Sequence, residues 1–227
     1  IHDERLDLDT AALHLEAVGS SIDRRRRPLF DEILHLQTVR HAVLTGGPES
    51  ALALLRDAPL RQVHRPVFER ARSTLEIQLL VRTGAVREAL HKANSSPLRI
   101  PTARIDALVA NGDTRAARSI LDEWTPAVSD LCECIEHGLR QAVVTQQEGS
   151  SGLAGTLVAH VALQADTEGL LRPFLDAPLA LGLLRTATPT RHLTKVRKLL
   201  EDIWSPDVRH GSDQLIAGLD HRIVAIR

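Results

Sequence analysis

The chain has 227 residues and a formal net charge of −1 at pH 7, with 43% hydrophobic but only 2% aromatic residues. A free-standing nucleic-acid binder would show a basic excess, and the charge total argues against one. With no Tyr and three Phe, the core must be built from Leu, Val, Ile and Ala, a mixture that favours helix over sheet. The length allows one elongated domain or two compact ones. No apolar run approaches the roughly 18–20 residues that span a bilayer, and no signal peptide is visible. The chain opens with Ile1 and is expected to be a piece of something longer.

Taken in order, residues 9–18 are expected to form a short helix with Ala12, Leu15 and Ala17 or Val18 inward, broken by Gly19-Ser20-Ser21. The arginine run at 24–27 precedes Pro28. It reads as a solvated loop entering a proline-started helix, with phosphate binding as the sharper alternative. Over residues 29–45, Leu29, Ile33, Leu36, Val39 and Val43 fall at helical spacing. Beyond Gly46-Gly47-Pro48 a second helix carries Ala51, Leu52, Leu55 and Ala58 and ends at Pro59. The next hairpin begins near Pro66, with Val67, Ala71, Leu75 and Leu79 on one stripe. It turns at Gly84, returns through Val86, Ala89, Leu90 and Ala93, and gives way to a loop at 94–97.

A third pair runs from Thr102 to Trp124. A longer helix is expected from Pro126, with Val128, Leu131, Ile135, Leu139 and Ala142 inward. A turn at 148–152 leads to Leu153, Ala154, Leu157, Val158, Val161 and Ala165. Residues 170–178 read as a proline-interrupted connector. It feeds one helix through Leu181 and Leu184 and another through Leu193, Val196, Leu199, Leu200 and Ile203. Residues 205–214 are polar and linker-like, and a new apolar pattern starts at 219.

One phrase recurs through this series. Gly112 supplies the tight backbone that ends a helix, Asp113 or Thr114 caps the next, and Ala116, Ala117, Ile120, Leu121 and Trp124 form its stripe. Gly46, Gly84, Gly112 and Gly149 are each followed five residues on by Ala51, Ala89, Ala117 and Ala154. Each such hairpin buries one face, so neighbours must stack to complete the core. The glycine intervals of 38, 28 and 37 residues scatter around the roughly 34 residues of a tetratricopeptide (TPR) repeat. The expected fold is all-α, with TPR-like helical hairpins stacked in a right-handed superhelix.

Chemistry-bearing patterns are sparse. Cys132, Cys134 and His137 imitate part of a metal site, but zinc takes four ligands, or three plus water, and no second Cys/His phrase follows. The two cysteines are expected to be reduced and buried, in a cytosolic protein. The eleven histidines are scattered, with no H-E-x-x-H and no Ser/His/Asp arrangement. Residues 149–152 with Gly155 read as a hairpin turn more readily than a phosphate loop. Asp106, Asp113, Asp122 and Glu123 read as surface and capping residues, and Trp124 and Trp204 as packing residues at helix ends, with ligand stacking as the alternative. No catalytic or metal residue is assigned, and the ligand-binding residues are not identified.

Residues 169–176, Gly-Leu-Leu-Arg-Pro-Phe-Leu-Asp, resemble the signature that closes the helical-repeat region of large LuxR-type transcription regulators of the MalT-like, or LAL, family. Leu219-Asp220-His221-Arg222 is similar to the phrase opening their C-terminal helix-turn-helix domain, with Ile223 where that phrase has Glu. The Gly112 to Trp124 phrase matches the family's repeat style. The resemblance covers most of the chain from Leu29 onward and is strongest over 102–187. It implies a TPR-like sensor and interaction domain at 1–204, then at 205–227 a linker and the start of a truncated LuxR-type helix-turn-helix. Such a domain would be non-catalytic and cytoplasmic, and would answer to a small-molecule inducer or a regulatory protein, with self-association and no membrane contact. DNA would be read only through the missing C-terminal domain. No cofactor is implied for this stretch: ATP belongs to the N-terminal ATPase of such regulators, and no Walker A phrase occurs here. Two other readings stay open, a generic scaffold gripping a peptide in its concave groove and an α-helical hydrolase using histidines.

Overall fold

The computed structural model describes residues 8–21, 28–57 and 66–203, and within them the chain forms twelve helices and no strand. They are α1 (Leu8–Ser21), α2 (Pro28–Thr45), α3 (Gly47–Asp57), α4 (Pro66–Arg82), α5 (Val86–Ser95) and α6 (Pro101–Asn111). There follow α7 (Thr114–Glu123), α8 (Leu131–Gln147), α9 (Ser151–Glu168), α10 (Arg172–Asp176), α11 (Ala180–Thr186) and α12 (Arg191–Ile203).

The hairpin turns form as the recurring phrase predicts. Gly112 adopts φ 86 at the end of α6, and its N–H donates to the carbonyls of Leu108 and Val109. A side chain is poorly tolerated in this left-handed region. Asp113 caps α7, its carboxylate accepting from the Ala116 N–H at 3.1 Å. Gly84 and Gly149 take the same backbone conformation, and in the first hairpin it is Gly47 rather than Gly46. Ala51, Ala89, Ala117 and Ala154 are all fully buried. A methyl at these positions leaves room for the facing helix, which is why the phrase pairs glycine with alanine.

Each helix from α1 to α9 packs on its successor, except that α9 packs on α11 and α12. In addition α2, α4, α6 and α8 pack on one another in that order. The apolar contacts fall into three groups along this series. Val39, Val43, Ala51, Leu55 and Leu79 join α2, α3 and α4. Ile77, Val81, Ala89, Ala93 and Ala103 join α4, α5 and α6. The largest group runs from α6 to α12 through Ile105, Leu121, Leu139, Val158, Phe174, Leu184 and Leu193. Burying hydrocarbon at roughly 25 cal/mol per Å² makes these stripes, not helix propensity, the main source of order. At the α8–α9 crossing Gly138 is essential to the fit: a Cβ there would lie 2.6 Å from Val161 Cγ2.

Several expectations are corrected. The first helix runs through Gly19 and Ser20, whose hydroxyl donates back to the Ala17 carbonyl, and Ala11 rather than Ala12 is inward. Ile33, Val67, Ala71 and Leu153 are exposed. In α4 burial concentrates on residues 75–81, where α3, α5 and α6 all pack against it. The helix expected from Pro126 starts at Leu131, and Val128 is 96% exposed. Asp130 sets that start by accepting from the Glu133 N–H at 3.0 Å, while the Ala127 N–H donates to Glu133 Oε2. Helix α5 takes in Asn94 and Ser95, whose hydroxyl donates to the His91 carbonyl. The supposed connector contains α10, with every residue buried. Residues 24–27, Ala58, Pro59, Trp204 and the 219–222 phrase lie outside the described residues.

Candidate functional site: a buried charge network under α10

Helix α10 is five residues long, Arg-Pro-Phe-Leu-Asp, too short to hold together by its own hydrogen bonds. Its order comes from α2, α4, α6 and α8, each of which contributes charged or polar side chains to one network. Arg40 of α2 donates to Asp176 Oδ2 at 3.1 Å. From α4, Gln78 donates to the Asp176 carbonyl at 3.3 Å, and Arg82 donates to the Leu175 carbonyl while lying 3.9 Å from Asp176 Oδ1. Arg140 of α8 donates to Asp106 Oδ2 of α6 at 2.7 Å and reaches the Asp176 carbonyl at 3.5 Å. Within α10, Arg172 Nε donates to Asp176 Oδ1 at 3.0 Å, and its Nη2 donates to the Arg40 carbonyl at 3.2 Å.

Arg140 and Arg172 are each 1% exposed and Asp106 is 4% exposed. Charges so placed are tolerated only when paired and hydrogen-bonded. Burial pushes the Asp176 carboxyl up, yet the guanidiniums of Arg172, Arg40 and Arg82 prevail and hold it at about 2. For Asp106 burial wins over Arg140 and its pKa is raised. Burial likewise raises Glu136 to about 7, against the nearby Arg140. Desolvation brings Arg82 down to about 10 despite Asp176, and its Nε is buried without a hydrogen-bond partner. Together these groups recognise acceptors: one carboxylate and two main-chain carbonyls at the C-terminal end of α10.

Asp106, read from sequence as a surface residue, is therefore a core residue. Its surroundings carry the signal that gives it away, since Ile105, Ala107, Leu108, Val109 and Ala110 are all apolar and buried. An acid inside such a run needs a cation, and Arg140 supplies it. Asp113 caps a helix, whereas Asp122 and Glu123 are exposed. Trp124 packs as expected, its indole N–H donating to Glu133 Oε1 at 2.9 Å and its ring meeting His137 edge-on at 5.1 Å. Cys132 and Cys134 form no disulfide and are half-buried rather than buried, with Cys134 Sγ 3.6 Å from the Ala127 carbonyl. Among the described residues no group of three or more His, Cys, Asp or Glu could hold a metal ion. A second cluster ties α9 to α12, with Asp166 accepting from His192 at 2.7 Å and from Lys195 at 2.5 Å. Those hydrogen bonds, Lys195 first, lower the Asp166 pKa. No helix among the described residues is long and apolar enough to cross a membrane. No protein-family model, curated protein or solved structure matches the chain.

Proposed function

We propose that the chain is the ligand- or protein-sensing helical-repeat domain of a LuxR-type transcription regulator of the MalT-like kind, non-catalytic and cytoplasmic. The observation that carries this reading is the Gly169–Asp176 phrase, which resembles the family's repeat-closing signature, together with the burial of all five α10 residues. A segment specified so tightly has a structural reason to keep its sequence. The order in which α2, α4, α6 and α8 pack supports a TPR-like, right-handed superhelix, in which such first-of-pair helices line the concave side. In the mechanism we favour, an inducer or regulatory protein binds one arrangement of the helices better than another. It thereby shifts the population that releases the ATPase and DNA-binding parts of the parent.

The test is a thermal-shift screen of the domain with sugars, nucleotides and lipid-like metabolites. A ligand present at about 100 times its Kd stabilises by about 2.7 kcal/mol, a shift of several degrees. No shift with any class, and a reading frame after Arg227 that lacks a helix-turn-helix, would sink the regulator reading and leave a peptide-gripping scaffold. As a companion expectation, residues 1–227 alone do not retard DNA in a mobility assay; specific retardation would contradict the placement of DNA reading in the missing domain.

A further inference from the structure

The contacts made to α10 are those made to a ligand. Three helices that precede it by more than 20 residues, α2, α4 and α8, send Arg40, Gln78, Arg82 and Arg140 to its last two carbonyls and its terminal carboxylate, and Asp106 of α6 holds Arg140 in place. Phe174 and Leu175 are buried in the apolar group that runs from α6 to α12, with α10 packed on α8 and α11. The flanking helices do not need α10 to stay together, because α9 packs on α11 and α12, and α11 packs on α8. Gly169 stands in the left-handed conformation at φ 69 before it, and Pro178 follows it. The segment is thus a short insert between elements that hold one another.

We propose that the face shared by α2, α4, α6 and α8 is a peptide-docking groove, that Phe174-Leu175-Asp176 is its resident internal ligand, and that the regulatory partner presents the same chemistry, an apolar pair closed by a carboxylate. This rests on the sensing reading above and names the partner class for it. A guanidinium fork matches a carboxylate in geometry and charge, and the groove brings two guanidiniums to Asp176, Arg40 at 3.1 Å and Arg82 at 3.9 Å, beside Arg172 of α10 itself. The neighbouring apolar residues give the groove a second criterion, since an acid alone would leave the space of the Phe174 ring unfilled. The unpaired Arg82 Nε offers a further donor to an occupant whose backbone runs slightly differently. Because the resident segment competes, an external peptide meets only the fraction of molecules in which α10 has swung out, and its apparent affinity falls by that fraction.

The experiment uses a fluorescein-labelled peptide of residues 169–178 and the intact chain carrying Phe174→Ala, with fluorescence anisotropy as the readout. The variant is expected to bind the peptide at least about tenfold more tightly than the wild-type chain does. A peptide carrying Asp176→Asn should bind about tenfold more weakly than the native peptide. A helical variant that binds neither peptide, or both alike, overturns the proposal. Should Phe174→Ala fail to fold, hydrogen exchange on the wild-type chain decides. Amides of Arg172, Phe174, Leu175 and Asp176 opening at lower free energy than those of α8 support the groove, and opening only with global unfolding overturns it. The peptide assay contains no inducer, so its failure leaves the sensing reading standing, and an empty metabolite screen leaves a peptide result standing.

Discussion

The hairpins between α6 and α9 and the short helix α10 are stabilised in opposite ways. In the hairpins the glycine turn, the cap and the apolar stripe lie within a few tens of residues of one another, and apart from the buried Arg140–Asp106 pair that faces α10 the polar ties are peripheral, as with Arg118 and Glu148 at 2.6 Å. In α10 the polar ties are central and distant: Asp176 meets Arg40 across 136 positions, and Arg172 meets the Arg40 carbonyl across 132. A hairpin can therefore be altered with local consequences. Helix α10 exists only when α2, α4, α6 and α8 are already in place, and what it contributes cannot be assigned to any single neighbour.

That contrast can be broken by substitution. The largest effect is expected for Asp176→Ala, which leaves Arg40, Arg82 and Arg172 facing a void: about 3–5 kcal/mol of stability by urea denaturation, as for other buried pairs that lose one partner. A loss below about 1 kcal/mol would place α10 with the surface ties. Gly112→Val should cost about 2 kcal/mol, from forcing a β-branched residue to φ 86, and an unchanged melting temperature would count against the turn.

Next comes pH. The Glu136 pKa is raised from 4.5 to about 7, so the folded chain holds that proton more tightly than the unfolded one. Its contribution to stability is fullest below about pH 4.5 and is lost as pH rises to about 7, by about 1–2 kcal/mol once partial exposure is allowed for. Glu136→Gln should flatten that stretch of the stability profile. Asp176 acts in the other direction, stabilising above its ordinary 3.8 and losing the effect as pH falls through about 2. The smallest change is Arg118→Ala, expected below about 1 kcal/mol because its partner Glu148 is exposed; a larger loss would show that the outer ties of the hairpins are not peripheral.

What could be read from sequence follows the same division. Turn and stripe are encoded within one phrase, so the positions of Gly84, Gly112 and Gly149 and the buried alanines came straight from spacing. Errors gathered where a stripe outruns its neighbour, as at Val67, Ala71 and Val128, because periodicity tells which face a residue is on but not whether anything lies opposite. The charge network was hidden for a different reason. Asp106, Arg140 and Arg172 look like ordinary helix charges until the chain is folded, and only the acid within an apolar run, or the Arg172–Asp176 spacing of one helical turn, hints otherwise. The resemblance over 169–176 carries no hint that all five residues of α10 are buried.

The glycine at 138 carries one more consequence. Where two helices meet with no side chain between them, Val161 acts as a tooth in a notch and the pair cannot slide lengthwise without collision. Helices α8 and α9 are therefore keyed to each other at this crossing. Arg140, on the first of them, meets α10 directly, while Asp166, on the second, grips His192 and Lys195 of the last helix. A contact path thus runs from α10 through α8 and α9 to α12.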